Sequence, residues 1–201
     1  GECYVNPADV ALLYEHGDID KRYGFVMGGG KPEGAFVPKK EDVVPPCAVK
    51  TLPVQDGDVF DLGGVQIEAI AVPGHTVGTM VYLDRARRVL YSGDACNANT
   101  LLGLPCSTTV ETYAKSLDHL ATYLKGIDKF YGGHGLQAVP AYIVDEALIL
   151  CEEILSDDDD RFEAEFLGRK FLYARKFDGM FHREDGGIAN IAYVMEKVYN
   201  K

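Results

Sequence analysis

Absences narrow this 201-residue chain before any motif does. Its five cysteines, Cys3, Cys47, Cys96, Cys106 and Cys151, form no CxxC pair and are odd in number. No disulfide framework is expected, and a reducing, cytoplasmic setting follows as the better expectation. Positive charge is scarce: 20 Lys and Arg stand against 31 Asp and Glu, a formal net charge of −11. A chain of that balance lacks the basic surface that nucleic acid or an anionic bilayer demands, so neither is expected as a partner. No apolar run approaches the roughly 18–20 residues that span a bilayer. No internal repeat is visible. The opening "GECYV" has no Met and no signal-like character.

What is present suits one domain, with 47% hydrophobic residues to bury. "CYV" at 3–5 reads as the end of a strand. "NPADVALLYEH" reads as a helix, with Asn6 as its cap, Pro7 at the first position and Asp9 in the first turn. Residues 24–47, rich in Gly, Pro and Lys, predict a long surface loop that could line a pocket, and Tyr23, just before it, or Phe36, within it, could meet a substrate. From residue 48 the apolar period is two. "AVKTLPV", "GDVFDL" and "VQIEAIAV" predict strands, with Asp56-Gly57 and Gly63-Gly64 as hairpin turns. "TMVYLD" and "RVLYSGD" predict another pair.

Thr108 and Glu111 suggest a capping box, and Val110, Ala114, Leu117, Ala121 and Leu124 recur at helical spacing. "IDKFYGGHG" predicts a strand, and Pro140 opens a second amphipathic helix through Leu155. The run "DDDD" at 157–160 reads as a solvated loop before a C-terminal extension, 157–201. That extension ends in a turn at Asp185-Gly186-Gly187 and a short helix or strand.

Three stretches share one layout. "PGHT" sets His75 in a turn after a strand; "YSGDAC" sets Asp94, and "YGGHG" sets His134, at strand ends beside glycine. Each alone reads equally well as a hydrogen-bonded turn residue. Together they offer imidazole and carboxylate donors on rigid strand ends, a set that suits zinc, manganese or iron.

These stretches, in this order, resemble the later part of a metallo-β-lactamase-fold hydrolase. The likeness runs from "YVNPADVALL" through "LPVQDGDVFDLGGVQIEAIAVPGHTVGTMVYLDRARRVLYSGDACNANTLL" to "SLDHLATYLKGIDKFYGGHG", and is nearest the glyoxalase II-like branch. The resemblance implies an α+β fold, the αββα four-layer sandwich, here incomplete at its N-terminus. It implies a two-metal site, zinc first and manganese or iron as variants, with His75 on the first metal, Asp94 bridging both and His134 on the second. Asp94 is then the catalytic carboxylate. Thr76 and Gly78 complete the turn, the Thr hydroxyl helping to orient the ligand. Hydrolysis of a small-molecule ester or thioester by a metal-bridging hydroxide is the implied reaction.

One departure is large. The family's HxHxDH motif occurs nowhere in the chain, and His16, His119 and His182 stand isolated. Cys96, two residues past Asp94, is the one local candidate for a substitute ligand, and the glycine before Asp94, which suggests that the strand is ending, speaks against it. Three ligands over two metals fall short of the three that catalytic zinc takes from protein. The expectation is a truncated chain, inactive alone, completed by a companion N-terminal segment or by self-association. A degenerate, non-catalytic binding or assembly module is the alternative. Glutathione thioesters would call for basic residues, and Arg169, Lys170, Arg175 and Lys176 read instead as a solvated strand face.

Overall fold

The computed structural model of the chain describes residues 2–15, 49–134, 138–166, 169–178 and 181–200. The predicted loop 24–47, with Phe36 and Cys47, lies outside them, as do Tyr23 and His16.

Strand β1 (Glu2–Val5) leads into a 3-10 turn (Pro7–Asp9) and the short helix α1 (Val10–Glu15). Asn6 caps that turn, its Oδ1 accepting the Ala8 N–H at 3.0 Å. β2 (Lys50–Pro53) pairs in parallel with β1, Cys3 opposite Thr51. The Asp56-Gly57 turn therefore makes no hairpin between β2 and the next strand. Its polar groups bond elsewhere: Gly57 N–H donates to Ala69 O at 2.8 Å, and Asp56 Oδ1 accepts Ala71 N–H at 2.7 Å.

A six-stranded sheet follows in the order β3-β4-β5-β6-β8-β9: β3 (Val59–Asp61), β4 (Gln66–Ala71), β5 (Met80–Asp84), β6 (Val89–Gly93), β8 (Lys129–Gly132) and β9 (Val139–Pro140). Gly63-Gly64 does join an antiparallel pair, β3 and β4, and only β6 and β8 run parallel. β6 and β8 are consecutive in space because α2 (Val110–Ala121) forms the crossover between them. α2 and α3 (Ile143–Leu155) bury Val110, Tyr113, Leu117, Leu120, Ile143, Leu150 and Ile154 with Ile70, Val81, Leu83, Leu90 and Phe130 of the sheet. Strand alternation puts those five sheet residues on one face, so the helices cover that face.

Local details correct the sequence reading. The cap of α2 is Thr109, whose Oγ1 accepts the Thr112 N–H at 3.2 Å, while Glu111 pairs with Lys115. Pro140 belongs to a strand, and α3 begins three residues later. The Asp157–Asp160 run is not wholly solvated: the Asp159 side chain is fully buried, accepting the Tyr193 hydroxyl at 2.6 Å and pairing with Arg161 at 3.0 Å.

From residue 162 onward the chain builds most of a second, four-stranded sheet, β10-β11-β12-β7: β10 (Phe162–Phe166), β11 (Arg169–Tyr173), β12 (Ile191–Tyr193) and β7 (Thr100–Leu101). One face sends Ile191 and Tyr193 into the main core. The other gathers Phe162, Phe166, Phe171, Tyr173, Phe177 and Phe181 into an aromatic cluster. Of the late basic residues Arg169, Lys170 and Lys176 are exposed, but Arg175 is half-buried, its guanidinium on Glu153 at 2.5 Å. No helix among the described residues is long and apolar enough to cross a membrane.

Candidate metal centre

The three strand-end residues reach one cavity of about 360 Å³, lined also by Asn97, Ala98, Asn99, Leu101, Phe166 and Phe181. Their routes differ. His75 follows β4 on the Pro73–Thr76 turn, Asp94 follows β6, and His134 follows β8, which lies beside β6. The parallel pairing brings the C-terminal ends of β6 and β8 together, and the Gly133 N–H donates to Gly93 O at 2.8 Å. His134 Nε2 then lies 3.3 Å from Asp94 Oδ1. Two ligands each about 2.0–2.1 Å from a tetrahedral zinc are separated by about that much. The donor chemistry and spacing of this pair therefore fit a shared ion. The imidazole is largely exposed, the carboxylate about one-third exposed. Asn97 Nδ2 donates to Asp94 Oδ1 at 3.3 Å, holding the carboxylate from the cavity side.

His75 is fixed from behind. Its Nδ1 lies 3.1 Å from Leu101 O. A carbonyl only accepts, so Nδ1 carries a proton, and of the two neutral tautomers this contact selects the one whose Nε2 keeps a lone pair, as a metal ligand needs. Ser107 braces the same place: its hydroxyl lies 2.8 Å from His75 O and 3.1 Å from Leu101 O. Lys197, reaching back from the end of the chain, donates to Leu104 O at 2.7 Å and to Ser107 O at 2.5 Å.

Other readings fare differently. The Thr76 hydroxyl does not touch His75; it donates to Asp9 Oδ2, and Gly78 N–H donates to Asp9 Oδ1 at 2.9 Å. Cys96 is no substitute ligand. The strand ends at Gly93, and the following turn buries the thiol 3.7 Å from Ile143 O, where desolvation pushes it up to about 12, away from the thiolate a metal takes. His119 pairs with Asp56 at 3.1 Å and His182 with Asp178 at 3.1 Å; each is exposed and neither lines the cavity, although His182 directly follows Phe181 of its wall. Among the described residues no three His, Cys, Asp or Glu side chains gather closely enough to hold one ion. The described donors thus fit a metal site in kind and fall short of it in number.

The far wall is aromatic. Phe181 packs edge-on to Phe166 at 5.4 Å and stacks on Phe177 at 5.0 Å. Its backbone has φ +63°, a region bulky L-residues rarely adopt, so surrounding contacts hold it there at a cost. Sequence periodicity carries no sign of this wall, because Phe166 ends β10 while Phe181 lies outside any strand.

Comparison with known proteins adds the following. The family model described as "Metallo-beta-lactamase superfamily" matches residues 7–161. A human acyl-coenzyme A thioesterase is 31% identical over 86 residues, 42% of this chain and 31% of that protein. A hydroxyacylglutathione hydrolase of Brucella anthropi is 35% identical over 101 residues, 48% of this chain and 36% of that protein. The chain thus spans about a third of the length of these curated relatives. A crystal structure of a metallo-beta-lactamase family protein from Thermus thermophilus superposes with a TM-score of 0.52 at 20% identity, over 78% of this chain and 55% of that one.

Proposed function

The chain belongs to the metallo-beta-lactamase superfamily, and from that premise we propose that it serves a metal-dependent hydrolase of thioesters or esters whose acyl group is apolar. The observation that carries this reading is the 3.3 Å Asp94–His134 pair, set in the same cavity as His75 and facing a phenylalanine wall. His134 and Asp94 would hold one ion, and His75 would present Nε2 to the other. The chemistry a metal pair supplies when bound is water of lowered pKa and stabilisation of oxyanion charge. The chain's own residues do the rest. Asn97 keeps the Asp94 carboxylate turned toward the cavity, the Leu101 carbonyl keeps His75 in its ligand tautomer, and Phe166 and Phe181 exclude water from the acyl side.

Similarity to a thioesterase and to a hydroxyacylglutathione hydrolase supports a thioester. Among the described residues the cavity lining holds no Lys or Arg, which favours an apolar acyl group over an anionic one. Among the described residues three donors would be divided over two ions, which would leave turnover slow unless another segment or copy supplies further ligands. The shortage of ligands favours a second reading, a non-catalytic binding module.

The test offers phenylacetate and succinate as acid products, followed by NMR, and their thioesters as substrates with and without zinc. Phenylacetate should bind, succinate should not, and cleavage of the phenylacetyl thioester should be slow and zinc-dependent. Binding without any turnover identifies the binding module; neither binding nor zinc-dependent turnover overturns the proposal.

A further inference from the structure

The sequence gives Asp9 no task beyond the first turn of a helix. In the structure its carboxylate reaches across 67 and 69 residues to the turn that carries His75. Oδ2 accepts the Thr76 hydroxyl, and Oδ1 accepts the Gly78 N–H at 2.9 Å. Thr76 is in turn locked to Thr79: its N–H donates to Thr79 Oγ1 at 2.9 Å, and the Thr79 hydroxyl donates to Thr76 O at 3.1 Å. Both carboxylate oxygens therefore grip the residues that immediately follow His75.

Two further features show that the grip is built in. A Cβ on Gly78 would lie 2.6 Å from Asp9 Cγ, so only glycine lets the carboxylate approach the backbone. Asp9 itself is held by its own turn: its N–H donates to Asn6 O at 2.9 Å, and the Asn6 amide lies 3.4 Å from the Met80 sulfur, at the start of β5. Asn6 and Asp9 thus tie the segment after His75 at two points. On the other side, Leu101 O and Ser107 fix the imidazole and the His75 carbonyl. The turn is clamped between two elements distant in sequence.

We propose that Asp9 is a positioning residue: it sets the direction of the His75 imidazole by clamping Thr76 and Gly78, and does so from the 3-10 turn Pro7–Asp9. The inference rests on the reading of His75 as a ligand only for its consequence, since the clamp itself acts on the imidazole whether or not an ion is present. A carboxylate accepting an N–H and an O–H makes the strong, charge-assisted kind of hydrogen bond. Partners of this sort hold a ligand to the narrow orientation a metal requires, and their loss costs about 10–100-fold in metal affinity in comparable sites.

The experiment follows the His75 ring by long-range 1H–15N NMR in the full chain, with His75→Gln identifying its signals. The variants are Asp9→Ala, Thr76→Val and Thr76→Ser. In the unaltered chain the ring shows one tautomer, protonated at Nδ1. Thr76→Ser, which keeps the hydroxyl, should leave that signature in place. Asp9→Ala and Thr76→Val should turn it into a mixture of tautomers while circular dichroism reports a folded chain. Should Asp9→Ala fail to fold, Thr76→Val decides alone, because it leaves the carboxylate and the Gly78 N–H paired. Unchanged His75 signals in folded Asp9→Ala or in Thr76→Val, whatever the fall in melting temperature, overturn the proposal.

Zinc titration of the same set separates the clamp from the function. Binding in the parent that weakens about 10-fold or more in Asp9→Ala, with no additional loss from Asp9→Ala in a His75→Gln background, supports action through the imidazole. An equal loss in both backgrounds overturns it. If the parent takes up no zinc, the metal reading fails while the tautomer signature still decides the clamp.

Discussion

Replacing Tyr113 by Phe removes one oxygen atom from the heart of the molecule. The ring is completely buried in α2, and its hydroxyl donates to Ala95 O at 2.7 Å. Burial pushes the phenol well above the ordinary tyrosine range, so it remains a donor at every practical pH. Ala95 follows Asp94, and the same ring lies under Gly74, where a Cβ would come within 2.4 Å of Tyr113 Cδ2. One side chain thus supports the backbone beside both His75 and Asp94. In Tyr113→Phe the packing survives and the buried Ala95 carbonyl is orphaned. Orphaning a buried acceptor costs about 1–3 kcal/mol. For a domain of this size each kcal/mol lowers the melting temperature by roughly 2–4 °C, so a fall of about 4–8 °C is the central expectation. Differential scanning calorimetry measures it, with urea unfolding to check that the slope against denaturant is unchanged. A variant that melts within about 1 °C of the parent refutes the reasoning, because the carbonyl would then have found another donor.

Burial should also protect the Cys96 and Cys151 thiols. Desolvation pushes Cys96 up to about 12 and Cys151 further in the same direction, so alkylation of the native chain mapped by mass spectrometry should spare both and mark half-buried Cys3. Because the folded pKa of Cys96 lies above its unfolded value, its contribution to stability is complete below the unfolded pKa. It is lost as pH rises toward 12, at about 1.4 kcal/mol per pH unit while the thiol titrates only in the unfolded state. Alkaline unfolding curves of Cys96→Ala should lose that slope. At the other end of the scale, Asp84 is held below the ordinary carboxylate range by its hydrogen bonds from Arg87. Its contribution is present above the unfolded pKa and lost as pH falls through the folded one, so Asp84→Asn should flatten the acid limb of stability. Tyr193→Phe, which takes the hydroxyl from buried Asp159, should destabilise the chain by about 1.5–3 kcal/mol in urea unfolding.

Much of this architecture is legible in the sequence where the signal is local. Period-two alternation marks β4 and β5, Gly63-Gly64 marks the β3–β4 connection, and the glycine-flanked strand ends mark His75, Asp94 and His134. What periodicity misses is pairing between distant segments. β2 follows β1 across 44 residues and runs parallel to it, which no turn motif announces. Thr109 displaces Thr108 as the cap because the chain enters α2 one residue later than the spacing suggested.

The candidate site divides the same way. Its strand-end donors stand beside readable punctuation, whereas the groups that hold them do not. Asp9 looks like an ordinary first-turn carboxylate, Tyr113 like a core residue of a helix, and Phe181 like part of a tail. Each acquires its task only when the fold brings it against a turn far away in sequence. Cys96 would share the side of Asp94 only if the strand continued, and the strand ends at Gly93.

The central claim is that Asp94 and His134 form a metal-binding pair, and calorimetric zinc titration of the chain beside Asp94→Asn and His134→Gln tests it most directly. The account predicts uptake by the parent and its loss in both variants, with the melting temperature of each nearly unchanged because both side chains stand at the cavity surface. Equal uptake by all three proteins, or none by the parent, would contradict it.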